Sequence, residues 1–455
     1  MRQVMLWLCL VLAVTTMAQQ SIYLDESKNL EERIDDALAR LTEQEKQALL
    51  ESYALPQTSG VPRLGIQPFC TDVAPNALFP SFACLMATWD VDLARQYGCK
   101  VAEQALYRHI DRLYDPALTQ TDVDPCISAA MIPSYVEGVH SYGVEVYDDG
   151  KAMEQLTDEA LLRQILRVHL EKTMSRQRPM GFLGTEEQSA TALAVAGAGL
   201  VILKNENNLL PLKGHTVRTL WLVGTDVKAG PSIENQVAQR GVTVRCEPLS
   251  LNDATMKSGT PDIVIFMERM DDPPTLPLLK GTPVVIQAWD LGPEGAVAIA
   301  AVLCGEVNPS GKLPYTWPAE NEEDPPLFYL GQGLSYSNFE FTDFTLSSRE
   351  VPAGGDIIGT VTVTNIGDRE GEEVVQLYIH DIKTSLPKPD KELKGFQKVN
   401  LKPGESKELT FTINEQTLMF FDPGTQQWIA EPGFYVAFIG NGADNLPVKA
   451  RFHLR

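Results

Sequence analysis

The run G-E-V-N-P-S-G-K-L-P-Y-T-W-P at residues 305–318 constrains this chain more than any other stretch. Asn308-Pro309 and Ser310-Gly311 are turn dipeptides, so the backbone must reverse between them. Pro314 and Pro318 remove backbone donors, which makes the following segment an extended connector or an edge rather than a central strand. Just before the turn, residues 295–303 are apolar and mostly small, a pattern for a helix that packs closely against its neighbours. A buried helix ending in a rigid turn is the exit of a domain.

A chain of 455 residues has room for two or three domains, each with its own core. Hydrophobic residues at 44% and charged residues at 22% are ordinary for a globular protein. The net charge of -22 disfavours nucleic acid and anionic membrane as partners, because both demand cationic faces. It leaves an uncharged ligand open, and solubility alone also accounts for it. The apolar run at residues 5–14, followed by Thr15-Thr16-Met17-Ala18, reads as a secretory signal over residues 1–18 cut after Ala18. No later stretch approaches the roughly 18 apolar residues of a membrane span, so a secreted or periplasmic protein is expected. Cys70, Cys84, Cys99, Cys126, Cys246 and Cys304 are scattered without metal-ligand spacing. Buried free thiols are the favoured state in a chain this large; a Cys84–Cys99 or Cys70–Cys126 bridge is the alternative.

Residues 30–41 carry Leu30, Ile34, Ala37 and Leu41 at helical spacing, and Thr42 with Glu45 forms a capping box for a second helix. Residues 61–69 read as a short buried strand, and Asp90 as the cap of a helix reaching Tyr107. Residues 106–150 show no run that looks like a further strand, whereas Leu161, Leu162, Ile165, Leu166 and Leu170 mark an amphipathic helix. From residue 188 apolar strand-length runs at 200–205, 219–224, 242–246, 262–267 and 283–288 alternate with helical segments. A partly parallel sheet with helices on its faces follows. Pro273, Pro274 and Pro277 leave little room for a helix between residues 267 and 283. After residue 357, alternating runs separated by Gly, Pro, Asp and Asn turns predict a β-sandwich.

The run at 305–318, together with "AGLVILKNENNLLPLK", "VTNIGDREGEEVVQLYIHD", "KELKGFQKVNLKPGES" and "EPGFYVAFIGNGADN", resembles glycoside hydrolase family 3, the β-glucosidase and β-xylosidase type. "ERIDDALARLTEQEK", "VPRLGIQPF" and "FPS…ATWDVDLA" resemble the opening of that family's catalytic (β/α) barrel. The resemblance implies a multidomain α/β plus all-β protein: a truncated TIM-barrel remnant over residues 19–184, a shortened α/β sandwich domain over 185–345, and a fibronectin type III-like β-sandwich over 346–455. A TIM barrel takes about 250 residues, and the interval from 19 to 184 offers about 165.

The resemblance implies hydrolysis of terminal β-linked O-glycosidic bonds, with carbohydrate as partner. The sequence has no HExxH, CxxC, P-loop or G-x-S-x-G motif and its histidines do not cluster, so neither cofactor nor metal is expected. A retaining hydrolase needs two carboxyl groups about 5–5.5 Å apart, one as nucleophile and one as acid/base. Asp72, in Thr71-Asp72-Val73-Ala74-Pro75, matches the family's sugar-binding aspartate, although the glycine, histidine and arginine that accompany it in the family are absent. Capping of a turn is the competing role. Glu268, just after the run 262–267, is the acid/base candidate by position, against a solvated strand-end glutamate. No stretch matches the nucleophile motif. Asp122, Asp124, Asp148 and Asp149 are the aspartates in the right interval, and turn chemistry explains them without catalysis. Two functions stay open: a β-glucoside or β-xyloside hydrolase with an incomplete site, and a catalytically inactive carbohydrate-binding or scaffolding protein. The sequence assigns no oligomeric state.

Overall fold

The computed structural model describes residues 21–52, 57–68, 70–73, 78–114, 123–147, 157–174, 181–214, 216–224, 228–257, 259–268, 276–319, 324–352 and 354–455. The chain divides into two compact units, one made of residues 1–75, 99–119 and 136–183, the other of 76–98, 120–135 and 184–455.

In the first unit, Asn29 caps helix Leu30–Arg40 by accepting from the Glu31 N–H at 2.8 Å. The capping box before helix Glu43–Ser52 forms as read, with Thr42 N–H on Glu45 Oε2 at 2.8 Å and Glu45 N–H on Thr42 Oγ1 at 3.3 Å. Leu162, Ile165, Leu166 and Leu170 of helix Asp158–Met174 bury against Ile34, Ala37 and Leu49 in one cluster. Strands β1 (Thr71–Val73), β2 (Arg112–Tyr114) and β3 (Glu145–Tyr147) form a parallel sheet in the order β1-β2-β3, with Thr71 opposite Arg112 and Arg112 opposite Glu145. Helices Val91–Tyr107 and Pro125–His140 lie between successive strands in the chain, the alternation of a barrel wall. Asp90 caps the first of them through Leu93 N–H at 2.9 Å.

Two expectations are corrected here. The strand read over residues 61–69 is a 3-10 turn at Pro62–Leu64, and the strand begins only at Thr71. Gly65 at φ 71° and Pro62 bend the chain where an extended run was read. Residues 106–150, read as having no further strand, supply both β2 and β3. Elements of three residues are too short to carry a period.

In the second unit, β4 (Val201–Asn205), β5 (Arg218–Val223), β6 (Val244–Leu249), β7 (Ile263–Phe266) and β8 (Val284–Gln287) form one sheet in the order β4-β8-β7-β5-β6. All neighbours are parallel except the antiparallel edge pair β4 and β8. Every residue of β7 and β8 is buried, as the unbroken apolar runs require of strands covered on both faces. A short helix, Leu276–Gly281, does fit between β7 and β8. Pro277 falls in its first turn, where a missing N–H costs nothing. Helix Gly295–Leu303 is buried almost throughout and packs on helices Glu186–Gly199 and Gly230–Gln239.

The remaining strands are β9 (Phe339–Leu346), β10 (Glu350–Val351), β11 (Asp356–Asn365), β12 (Gly371–Asp381), β13 (Glu392–Leu401), β14 (Ser406–Asn414), β15 (Phe420–Asp422), β16 (Gln427–Ile429), β17 (Gly433–Gly440) and β18 (Val448–Leu454). They build a sandwich of two sheets, β14-β11-β9 against β10-β18-β17-β12-β13, with β15 and β16 as a separate hairpin. Its core alternates along each strand: Ile357, Val361 and Val363 from β11 meet Val375, Leu377, Tyr435, Ile439 and Phe452 from the other sheet.

The segment at 305–318 joins the open sheet to the sandwich. Lys312 Nζ lies 2.7 Å from Glu373 Oε1 on β12, with both side chains at most 3% exposed. The same ammonium donates to Gly333 O at 2.8 Å, while Glu373 accepts from Val374 N–H and Asn441 Nδ2, each at 2.8 Å. Asn308 Oδ1 accepts from Tyr336 N–H at 2.8 Å and its Nδ2 donates to Glu370 O at 3.1 Å. A side chain on Gly311 would sit 2.4 Å from Leu200 O, so only glycine lets the turn press against the sheet.

Candidate functional site

The open sheet defines its own crevice. From β5 the chain moves outward to β6, and from β7 it moves the other way to β8, so the direction of winding reverses between β5 and β7. Ligands of open α/β sheets bind outside the carboxyl ends of the strands at such a reversal. Here the two strand ends are joined by Met267 N–H on Val223 O at 2.8 Å, and Glu268 is the next residue. Glu268 is half-buried, and its carbonyl accepts from Gln287 Nε2 at 2.9 Å. Gln287, at the end of β8, is fully buried; its amide also reaches Phe266 O at 3.4 Å, and its Oε1 has no hydrogen-bond partner among the described residues. It is the backbone of Glu268 that meets Gln287; its carboxyl, on the residue after a strand end, is of the kind that can exchange a proton with a bound hydroxyl or glycosidic oxygen.

Two buried tryptophans of this unit hold strained backbone. Trp289 sits at φ 64° with its indole N–H on Gly199 O at 2.8 Å, and Trp89 at φ 47° with its indole N–H on Lys312 O at 3.2 Å. Phe266, Trp317 and Phe328 follow in edge-to-face contacts at 5.6 and 5.5 Å. Their burial makes these rings packing for the domain exit rather than platforms for a sugar.

Asp72 lies in β1 of the first unit, opposite Leu113 of β2, with its side chain exposed. An exposed carboxylate near a parallel strand's carboxyl end can accept hydrogen bonds from vicinal hydroxyls. Asp72 and Glu268 are carried by different compact units. Asp124 caps helix Pro125–His140, with Oδ1 accepting from Cys126 N–H at 2.8 Å, and its own N–H donates to Pro314 O at 2.9 Å. Burial raises its carboxyl above the ordinary carboxylate range, partly offset by hydrogen bonds from the Cys126 and Ile127 backbone. Asp122, Asp148 and Asp149 lie outside the described residues, as does Asp115, which follows the last residue of β2. Sequence reading passed over Asp115 because no strand was expected before it. No group of three or more His, Cys, Asp or Glu that could hold a metal occurs among the described residues.

The six cysteines at 70, 84, 99, 126, 246 and 304 are free thiols. Cys84 Sγ points at Val195 O at 3.5 Å, and Cys99 lies against Ser141. Among the described residues, no helix is long and apolar enough to cross a membrane.

An open α/β sheet leaving through a clamped turn into a fibronectin-like sandwich is the C-terminal architecture of a class of multidomain glycosidases. The family model of the glycosyl hydrolase family 3 C-terminal domain matches residues 249–344, and that of the fibronectin type III-like domain matches 373–443. These two matches, with the relatives and structures that follow, support glycoside hydrolase family 3. A β-glucosidase of Bacteroides ovatus is 24% identical, with 94% of this chain and 95% of that protein covered. The periplasmic β-glucosidase of Salmonella typhimurium is 34% identical over 45% of this chain, which spans 32% of that relative. The crystal structure of a Bifidobacterium adolescentis family 3 β-glucosidase shares the fold, with a TM-score of 0.74, 18% identity, and coverage of 92% of this chain and 95% of that one. The Bacteroides alignment runs over 710 positions against a chain of 455 residues, so at least 255 positions, 710 less 455, fall opposite gaps.

Proposed function

We propose that this protein acts on terminal β-linked O-glycosides, hydrolysing a β-glucoside or β-xyloside. The observation that carries the reading is the end-to-end match to the Bacteroides ovatus β-glucosidase, which covers 94% of this chain. The division proposed for the work is a barrel remnant over residues 19–184, a shortened α/β domain over 185–345 and the sandwich over 346–455, in an exported protein cut after Ala18. Asp72 takes the role of sugar-binding carboxylate and Glu268 that of acid/base. The nucleophile is sought among Asp115, Asp122, Asp148 and Asp149, of which Asp115 and Asp148 come directly after β2 and β3 in the sequence.

One observation favours a second reading, sugar binding without turnover. The first unit's sheet has three parallel strands among the described residues, whereas a closed barrel of this kind uses about eight. Incubation of concentrated protein with aryl β-glucoside and β-xyloside separates the two. Turnover that falls at least about 100-fold in Glu268→Gln, and that Asp72→Asn weakens mainly through KM, supports hydrolysis by these residues. Turnover absent at every concentration, with sugar binding seen by calorimetry, leaves the second reading.

A further inference from the structure

The sandwich carries a groove of about 670 Å³ lined by Phe344, Leu346 and Arg349 on one side and by Phe434, Lys449 and Arg451 on the other. It runs between β9, an edge strand of the three-stranded sheet, and β18 of the five-stranded sheet. A bulge shapes the β9 wall. Thr345 pairs with Thr360 and Thr342 with Thr362, so Asp343 and Phe344 together oppose one residue of β11, with Asp343 at φ 53°. Such bulges re-aim side chains, and Phe344 lies over Gly359, which offers no side chain to resist it.

The opposite wall follows from period two. Phe434 and Phe438 project outward from β17, and Lys449, Arg451 and His453 from β18, in cross-strand register with Phe438, Val436 and Phe434. The Arg451 guanidinium stands 4.2 Å over the Phe434 ring, whose other neighbour is the edge of His453 at 4.7 Å. Lys391 and Lys449 both approach Phe438, each ammonium 5.8 Å from the ring centre. These stacks hold the cations outward with their charge unneutralised. Phe434 itself is 50% exposed.

The charge is the telling part. In a protein of net charge -22, carboxylates are abundant enough to pair with every cation. Among the described residues, Arg349, Lys449 and Arg451 pair with none, and no carboxylate lines the groove. Exposed apolar surface beside unpaired cations marks a binding face. A groove between two strands admits a single flexible chain but neither a duplex nor a bilayer surface, and its local cations rather than the net charge set what it holds. A neutral glycan would leave the cations without purpose.

We propose that this groove docks a polyuronate, an acidic polysaccharide whose carboxylates pair with Arg349, Lys449 and Arg451 while its ring faces lie on Phe344 and Phe434. Alternate positions on β18 are about 6.7 Å apart, on the scale of one sugar ring, and the arginine forks suit carboxylates. The site is distinct from Glu268 and Asp72 and stands whichever way the hydrolysis assay falls.

The test is electrophoresis of the full chain through gels containing polygalacturonate, with a neutral glucan, a sulfated dextran and vesicles containing phosphatidylserine as comparisons. Retardation by polygalacturonate at low salt is expected, weakened at least tenfold in the Lys449→Gln/Arg451→Gln double variant and several-fold in Arg349→Gln. Arg451→Lys should keep most of the binding, and unchanged thermal midpoints would show that these exposed substitutions leave the fold intact. Absence of retardation, equal retardation of the double variant, or equal or stronger binding to the glucan, the sulfated dextran or the vesicles would overturn the proposal.

Discussion

Replacing Lys312 with methionine tests the clamp between open sheet and sandwich. The pair it breaks is buried, 2.7 Å long, and at most 3% exposed on either side. Methionine fills nearly the same volume, so the change removes charge and donors with little loss of packing. Glu373 would then keep only its bonds from Val374 N–H and Asn441, and Gly333 O would lose its donor. Stranding one member of a buried pair costs about 3–5 kcal/mol. With a urea slope of roughly 2–3 kcal/mol/M, the midpoint should fall by roughly 1–2 M. Urea unfolding followed by both circular dichroism and tryptophan fluorescence reads this, the second probe reporting on Trp89 and Trp317 near the clamp. Adding Glu373→Gln to Lys312→Met removes the orphaned charge and should recover at least half of the loss. A single variant that loses less than about 1 kcal/mol, or a double variant no better than the single, would refute the claim that a desolvated charge pair holds these domains together.

Gly311→Ala should destabilise by about 1–3 kcal/mol or more, since the new methyl would meet Leu200 O at 2.4 Å and backbone cannot yield as a side chain can; thermal melting measures it. The Arg63 guanidinium, aided by the Thr42 N–H, holds the Glu45 carboxyl down to about 2. Because the folded value is lowered, its stabilising contribution is present above the ordinary value of 4.5 and is lost as pH falls toward 2. Carboxyl NMR titration should show the low midpoint, and Arg63→Ala should raise it part of the way to the ordinary value, the bonds from Thr42 remaining. Burial pushes the Cys126 and Cys246 thiols up to about 12, and Cys84 further. A disulfide reagent at pH 8 should therefore modify these three slowly in the native protein and all six described thiols in urea.

Legibility followed element length and apolar pattern. Helix Gly295–Leu303 was readable to the residue, because its apolar run is unbroken and the turn after it is a clear stop signal. Strands β2 and β3 were invisible because three residues carry no period and their partners, Thr71–Val73 for β2 and β2 itself for β3, are far away in sequence. Edge strands β9 and β10 escaped because their alternation is weak, with charged residues at Glu340, Asp343 and Glu350. At the candidate site, the sequence placed Glu268 after a strand, but the reversal of winding that makes that position a crevice exists only in the order of β5 and β7. The cationic groove was equally hidden. Arg349, Lys449 and Arg451 are ordinary surface residues until the packing of β9 and β18 brings them to one groove.

A charge pair shared across two domains also bears on descent. Any recombination or trimming that parts residue 312 from residue 373 strands a lysine or a glutamate in a dry interior, and its product starts several kcal/mol short. The open sheet and the sandwich should therefore pass between lineages as one heritable block, with the clamp acting as a lock on where their genes can be cut.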